Sequence, residues 1–175
     1  MPNWCSNSVD LSHEDKTKID ALEAVLTKQD KMQSEGQVDI PSEDGVLWNL
    51  RPRPTEEEEN WYGWNTENWG TKWDVNPHYW ERIDENTISI GFDSAWGPPT
   101  TLYEYLTEQD WSVSARYEEP GMSFVGSYED GIDTYVEYDF TDPDWRDQID
   151  EELIDFAGLD FAYENWLEWQ EEEEE

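Results

Sequence analysis

Three consecutive segments between residues 111 and 140 constrain the fold more than anything else in the chain. Trp111, Val113, Ala115 and Tyr117 alternate with polar residues. So do Met122, Phe124, Gly126 and Tyr128, and then Ile132, Thr134, Val136, Tyr138 and Phe140. A period of two is the mark of a half-buried strand, and Pro120-Gly121 and Asp130-Gly131 supply tight turns between the three segments. The expectation is an antiparallel meander with a polar second face.

Upstream, residues 3–10 read as a short opening strand with Trp4, Cys5 and Val9 as its apolar points. Ser12 is the expected N-cap of a first helix, with Asp15 three residues on as its capping-box partner. Ile19, Leu22, Val25, Leu26 and Met32 follow helical spacing, and Lys16, Lys18, Lys28 and Lys31 give that helix a solvated outer face. Residues 34–66, with Gly36, Pro41, Gly45, Pro52, Pro54 and the run Glu56–Glu59, read as a long insertion with a short apolar stop at Val46–Leu50. Strands are expected at 69–74 and at Thr87–Asp93, and a helix from Pro98-Pro99 to about Gln109. A final helix opens at Pro143, with Trp145, Ile149, Leu153 and Phe156 on one side. A second follows Gly158 and ends in the run Glu171–Glu175.

The order strand, helix, insertion, strand, strand, helix, strand is that of a split β-α-β arrangement. The expected class is α+β: a ferredoxin-like core with an antiparallel sheet, a β-meander extension and acidic C-terminal helices. One domain is expected over residues 1–175, with the core in 1–119 and the hairpin and helical extension in 120–175.

Charge bears on what such a fold could meet. The chain carries 45 acidic and 10 basic residues, a formal net charge of −35, together with 12 Trp, 9 Tyr and 5 Phe. Acidic chains that remain unfolded lack that aromatic content, so the charge is expected on a rigid surface. It is also uneven. Residues 83–175 hold 28 acids and two bases, Arg116 and Arg146, whereas residues 1–82 hold 17 acids and eight bases. Such a surface is repelled by phosphate and by anionic lipid, which argues against direct binding to nucleic acid or membrane. No apolar run approaches a membrane span, and one cysteine excludes an intramolecular disulfide; both suit a reducing cytoplasm.

Four phrases taken in order, Met1-Pro2-Asn3-Trp4-Cys5-Ser6-Asn7, Asn68-Trp69-Gly70-Thr71-Lys72-Trp73-Asp74, Phe92-Asp93-Ser94-Ala95-Trp96-Gly97-Pro98-Pro99 and Glu119-Pro120-Gly121-Met122-Ser123-Phe124, resemble the Api-type ferredoxin-like family of bacteriophage and plasmid proteins. The resemblance implies the ferredoxin-like core and a mobile-element origin. It implies no activity and no catalytic residues, and it does not extend into the acidic C-terminal part.

Two candidate sites follow. The first is a partner-binding surface of carboxylates: Asp133, Glu137 and Asp139 on the third meander strand beside Tyr135, with Asp142, then Asp144, Asp147, Asp150, Glu151, Glu152 and Asp155 on the following helix. Same-face strand residues lie about 6–7 Å apart and helical neighbours about 5–6 Å, so a double row could imitate a duplex backbone. The expected partner is a basic, nucleic-acid-binding host protein, with exposed Trp or Tyr as anchors; self-association is left open. An ordinary solvated acidic face and adaptation to high salt are the competing readings. The second candidate is a small polar site of Lys72, Asp74, Asp93 and Glu119, the basis of an alternative reading as an accessory enzyme or ligand-binding domain. Against it, the bland expectation is that these groups cap turns and form ion pairs. Cys5 with His13 or His78 could form a nucleophile pair, but a buried cysteine near a strand is expected to act as a small hydrophobe. Neither the 127–133 loop nor the Asp139–Asp147 run has the ligand spacing of a specific cation site, so no metal or cofactor is expected.

Overall fold

The computed structural model describes residues 3–174; Met1 and Pro2 of the first phrase and Glu175 of the terminal acidic run lie outside them. The sheet has six antiparallel strands in the order β2-β3-β1-β4-β5-β6, formed by β1 (Trp4–Ser12), β2 (Tyr79–Asp84), β3 (Thr87–Ala95), β4 (Ser112–Glu119), β5 (Phe124–Glu129) and β6 (Ile132–Glu137). Helices α1 (Lys16–Ser34) and α4 (Thr100–Glu108) follow β1 and β3, which makes β2-β3-β1-β4 a split β-α-β core in an α+β fold. The meander extends it through β5 and β6.

Strand alternation sets the two faces. Val9, Leu11, Ile88, Ile90, Phe92, Val113, Ala115 and Tyr128 point to one side, where they pack with Ile19, Leu22 and Leu26 of α1 and Leu102, Tyr103 and Leu106 of α4. Burial of such side chains contributes about 1.5–3 kcal/mol each and dominates the fold's stability. On the other side Val125 of β5 and Val136 of β6 meet a second cluster: Trp145, Ile149, and Leu153 and Ile154 of α5 (Glu151–Ala157), with Leu159 of α6 (Leu159–Glu174). The second face of the meander is polar along β4 and at Ser127, Glu129 and Thr134, as expected, but Val125 and Val136 form an apolar patch on it that the C-terminal helices cover.

Several local expectations are corrected. Ser12 is not an N-cap; it pairs with Thr87 in the sheet, and Asp15 caps α1 by accepting from Thr17 N at 3.0 Å. The 69–74 segment is not a strand: Gly70 has φ +85°, and Asn65 Nδ2 donates to Lys72 O at 2.9 Å, folding the chain back. The missing strand is β2, whose apolar pattern is broken by Arg82; that charge is met by Asp20 and Glu23 on α1. The 34–66 insertion contains α2 (Val46–Leu50) and the start of α3 (Trp61–Asn68), which runs past its expected end. The third meander strand stops at Glu137, before Tyr138 and Phe140 turn into the second cluster. The helix expected from Pro143 is a single 3-10 turn at Trp145–Gln148. Extended Ile149 and Asp150 then interrupt the chain before α5, which ends at Gly158 with φ +61°.

Candidate partner-binding surface

All four phrases gather at one end of the sheet. Trp96 N donates to Asn3 O at 2.9 Å, Thr71 Oγ1 to Ala95 O at 3.1 Å, and Asn7 Nδ2 to Ser94 Oγ at 2.8 Å. Asn3 Nδ2 donates to Glu119 at 3.4 Å. These bonds give Asn3, Asn7, Thr71, Ser94 and Glu119 structural partners at that end of the sheet.

The structure gives Lys72, Asp74, Asp93 and Glu119 separate surroundings. Asp74 is sequestered at the start of α2, accepting from the N–H groups of Leu47, Trp48 and Val75 at 2.8, 2.9 and 2.8 Å. Burial outweighs those bonds and pushes its carboxyl up to about 6. Glu119, also buried, caps the β4–β5 turn through Gly121 N at 2.8 Å and Met122 N at 2.7 Å. Lys72 Nζ sits 4.5 Å from the ring centre of Trp73 and 5.2 Å from that of Tyr62. Asp93 is exposed on β3, opposite Ser6. Cys5 is fully buried with Tyr117 and Phe124, and burial pushes its thiol up to about 12. His13 instead packs edge-on to Trp111, and His78 lies over Gly91.

Exposure sorts the aromatics. Trp4 and Trp73 pair at 6.1 Å, and both are open to solvent, as are Tyr62 and Trp96. Trp96 has φ +71°, a conformation that costs a bulky residue on the order of 1–3 kcal/mol. The Asn3 carbonyl holds it there. On α6, Phe161 and Trp169 are exposed beside the acidic segment.

The carboxylates do not form one double row. Asp133, Tyr135 and Glu137 point to the α1/α4 side of the sheet, while α5 packs on the opposite side through Val125 and Val136. The interruption at Ile149-Asp150 also divides the expected helix. Each acid then has its own setting. Tyr117 OH donates to Asp133 Oδ1 at 2.6 Å, and Tyr135 OH to Glu137 Oε1 at 2.9 Å. Asp139 accepts from Thr141 N at 2.9 Å and Thr141 Oγ1 at 2.8 Å, bonds that hold its carboxyl below the usual range. Asp142 accepts from Asp144 N and Gln148 Nε2, both at 2.9 Å. Glu151 receives both arms of Arg146, at 3.0 and 2.8 Å, and Asp160 receives the same guanidinium at 3.1 Å. Glu152 pairs with Arg116. Asp144, Asp147, Asp150 and Asp155 are exposed, and among the described residues their side chains make no hydrogen bond or ion pair.

Sequence reasoning missed Asp160 and the two tyrosine hydroxyls. Alternation does place Tyr135 beside Asp133 and Glu137 on one strand, but nothing local shows the Tyr117 phenol reaching Asp133 from a different strand.

No protein-family model and no curated protein matches the chain. Among solved structures, the crystal structure of protein api92 from Yersinia pseudotuberculosis is similar over 79% of this chain and 99% of its own, at 12% identity and a TM-score of 0.43. At that distance neither residues nor activity transfer. Among the described residues no helix is long and apolar enough to cross a membrane.

Proposed function

We propose that the protein is a non-enzymatic, acidic binding protein that occupies a basic, nucleic-acid-binding cleft of another protein as a mimic of DNA. The observation that carries this reading is the fate of the two positive charges in residues 83–175. Arg116 and Arg146 are both tied to carboxylates, so the Asp139–Asp155 segment presents Asp144, Asp147, Asp150 and Asp155 with no free cation among them. Uniform solvent adaptation has no need of such a division between the two halves of the chain. Exposed Trp4, Trp73, Trp96 and Trp169 supply the rigid apolar anchors that hot spots require. The Api-type resemblance adds a phage or plasmid origin, and with it a host defence, nuclease or transcription protein as the target in the host cytoplasm.

Affinity capture of the tagged protein from host lysate, eluted with stepped salt, tests this. One dominant nucleic-acid-handling protein leaving at intermediate salt is the expected result, since charge-paired interfaces weaken steeply as salt rises. A smear of basic proteins leaving at low salt would reduce the chain to a generic polyanion. Tight binding unchanged up to about half-molar salt would remove the electrostatic basis of the proposal.

A further inference from the structure

Among the described residues β6 is the end strand of the sheet, with no strand paired to its outer edge. Tyr138 N donates to Ser123 O at 2.8 Å, in register with the β5–β6 ladder. Hydrogen-bonding direction alternates along an antiparallel strand, so the N–H groups of Val136, Thr134 and Ile132 face β5. Those of Asp133, Tyr135 and Glu137, with their carbonyls, face outward from the end of the sheet. The same three residues present their side chains on one face, and two are carboxylates whose orientation is fixed by tyrosine hydroxyls. Among the described residues the second oxygen of each has no hydrogen-bond donor. On the opposite face Ile132 is 71% exposed, Thr134 is exposed, and Val136 is half-buried against the second cluster.

We propose that β6 adds, in antiparallel pairing, an extended partner segment that alternates basic and apolar residues. This rests on the reading of a cationic partner and adds how that partner is held. Arginines at every second position would pair in backbone register with Asp133, Tyr135 and Glu137, two meeting carboxylates and one lying on the Tyr135 ring. The intervening apolar side chains would cover Ile132 and the rim of Val136 left open beside the second cluster. Backbone bonds would supply affinity and side chains the selection, as in other strand additions. A second copy of this chain is disfavoured, because its carboxylates would lie opposite Asp133 and Glu137.

The test uses a labelled alternating Arg-Val peptide and two N-methylated isomers, titrated into the full chain by fluorescence anisotropy. Methylation at the arginine nitrogens blocks the edge that would face β6; methylation at the valine nitrogens blocks the other edge, with identical charge and composition. Arginine methylation is expected to weaken binding about thirtyfold, from the loss of two or so backbone bonds. Valine methylation is expected to leave it near that of the parent. New exchange protection at the amides of Asp133, Tyr135 and Glu137 should accompany parent binding, and Asp133→Asn with Glu137→Gln should weaken it in a chain whose melting curve is unchanged. Equal affinity for both isomers would overturn strand addition while leaving a cationic partner in place. Absence of binding by all three peptides, with a lysate partner still captured, would overturn the β6 site alone; loss of both would overturn both proposals.

Discussion

The hydroxyl of Tyr117 on β4 reaches across β5 to donate to Asp133 Oδ1 on β6 at 2.6 Å. Two strand spacings are about 10 Å, so a phenol can bridge them only by lying flat over the middle strand. It does so at Gly126, the one glycine of β5, where an added Cβ would collide with the Tyr117 ring and with Thr134 O. Burial and the neighbouring carboxylate both push the phenol far above its ordinary value, so Tyr117 remains a donor throughout the working pH range.

Gly126→Ala is therefore expected to destabilise the protein by about 1–3 kcal/mol through overpacking. Tyr117→Phe, which removes only the hydrogen bond and leaves Asp133 free to hydrate, should cost about 1 kcal/mol. Denaturant unfolding of both variants measures this; a glycine substitution with no effect would mean the ring has room to move aside.

Asp74 predicts the sign of part of the pH dependence. Its carboxyl titrates near 6 in the folded chain against 3.8 for the ordinary group, so between those values the folded state binds more protons than the unfolded one. Stability from this residue falls as pH rises from about 4 to 6 and is level above that. The span is on the order of 2–3 kcal/mol. Self-repulsion of a chain with net charge −35 has the same sign, so the discriminating measurement is the slope in Asp74→Asn. The variant should lose part of the slope at high salt, where repulsion is screened.

Asp144, Asp147 and Asp155 can be neutralised to Asn together without breaking a hydrogen bond or ion pair found among the described residues. Melting temperature at low salt should stay level or rise as repulsion is relieved, while binding to a captured partner weakens. Unaltered affinity would place the interface elsewhere. Glu151 is a poor choice for this test, since its loss would remove the two-armed pair and leave Arg146 held by Asp160 alone.

Trp96→Gly removes an exposed ring and allows φ +71° without a side-chain penalty. Stability should rise by about 1 kcal/mol. If Trp96 anchors a partner, affinity drops in the same variant, a separation of stability from binding that a purely structural tryptophan would not produce.

Cys5 should resist thiol reagents at neutral pH until the chain unfolds, because it is fully buried and its thiol is pushed up to about 12. Labelling that tracks denaturant-induced unfolding is the expected behaviour; rapid labelling of the native protein would mean that the Tyr117–Phe124 cluster opens locally.

Much of the fold is legible in local pattern. Alternation at Val113–Tyr117 and Phe124–Tyr128, the Asp130-Gly131 turn, and the spacing of Ile19, Leu22 and Leu26 each fix an element, because periods of 2 and 3.6 are properties of the backbone itself. The excess of acid in residues 83–175 is equally a property of the sequence. What local pattern could not supply are decisions made by distant groups. Arg82 lies in a strand because α1 carries Asp20 and Glu23 to meet it. Val125 and Val136 are covered because the chain returns as α5 and α6, on the side of the sheet away from the β6 carboxylates. Asp74 and Glu119, whose residue types suggest chemistry, are held by unpaired backbone N–H groups that exist only once α2 and the β4–β5 turn have formed. Sequence determines which residues are charged and which elements can form; only packing between elements decides which charges are neutralised and which remain open to a partner.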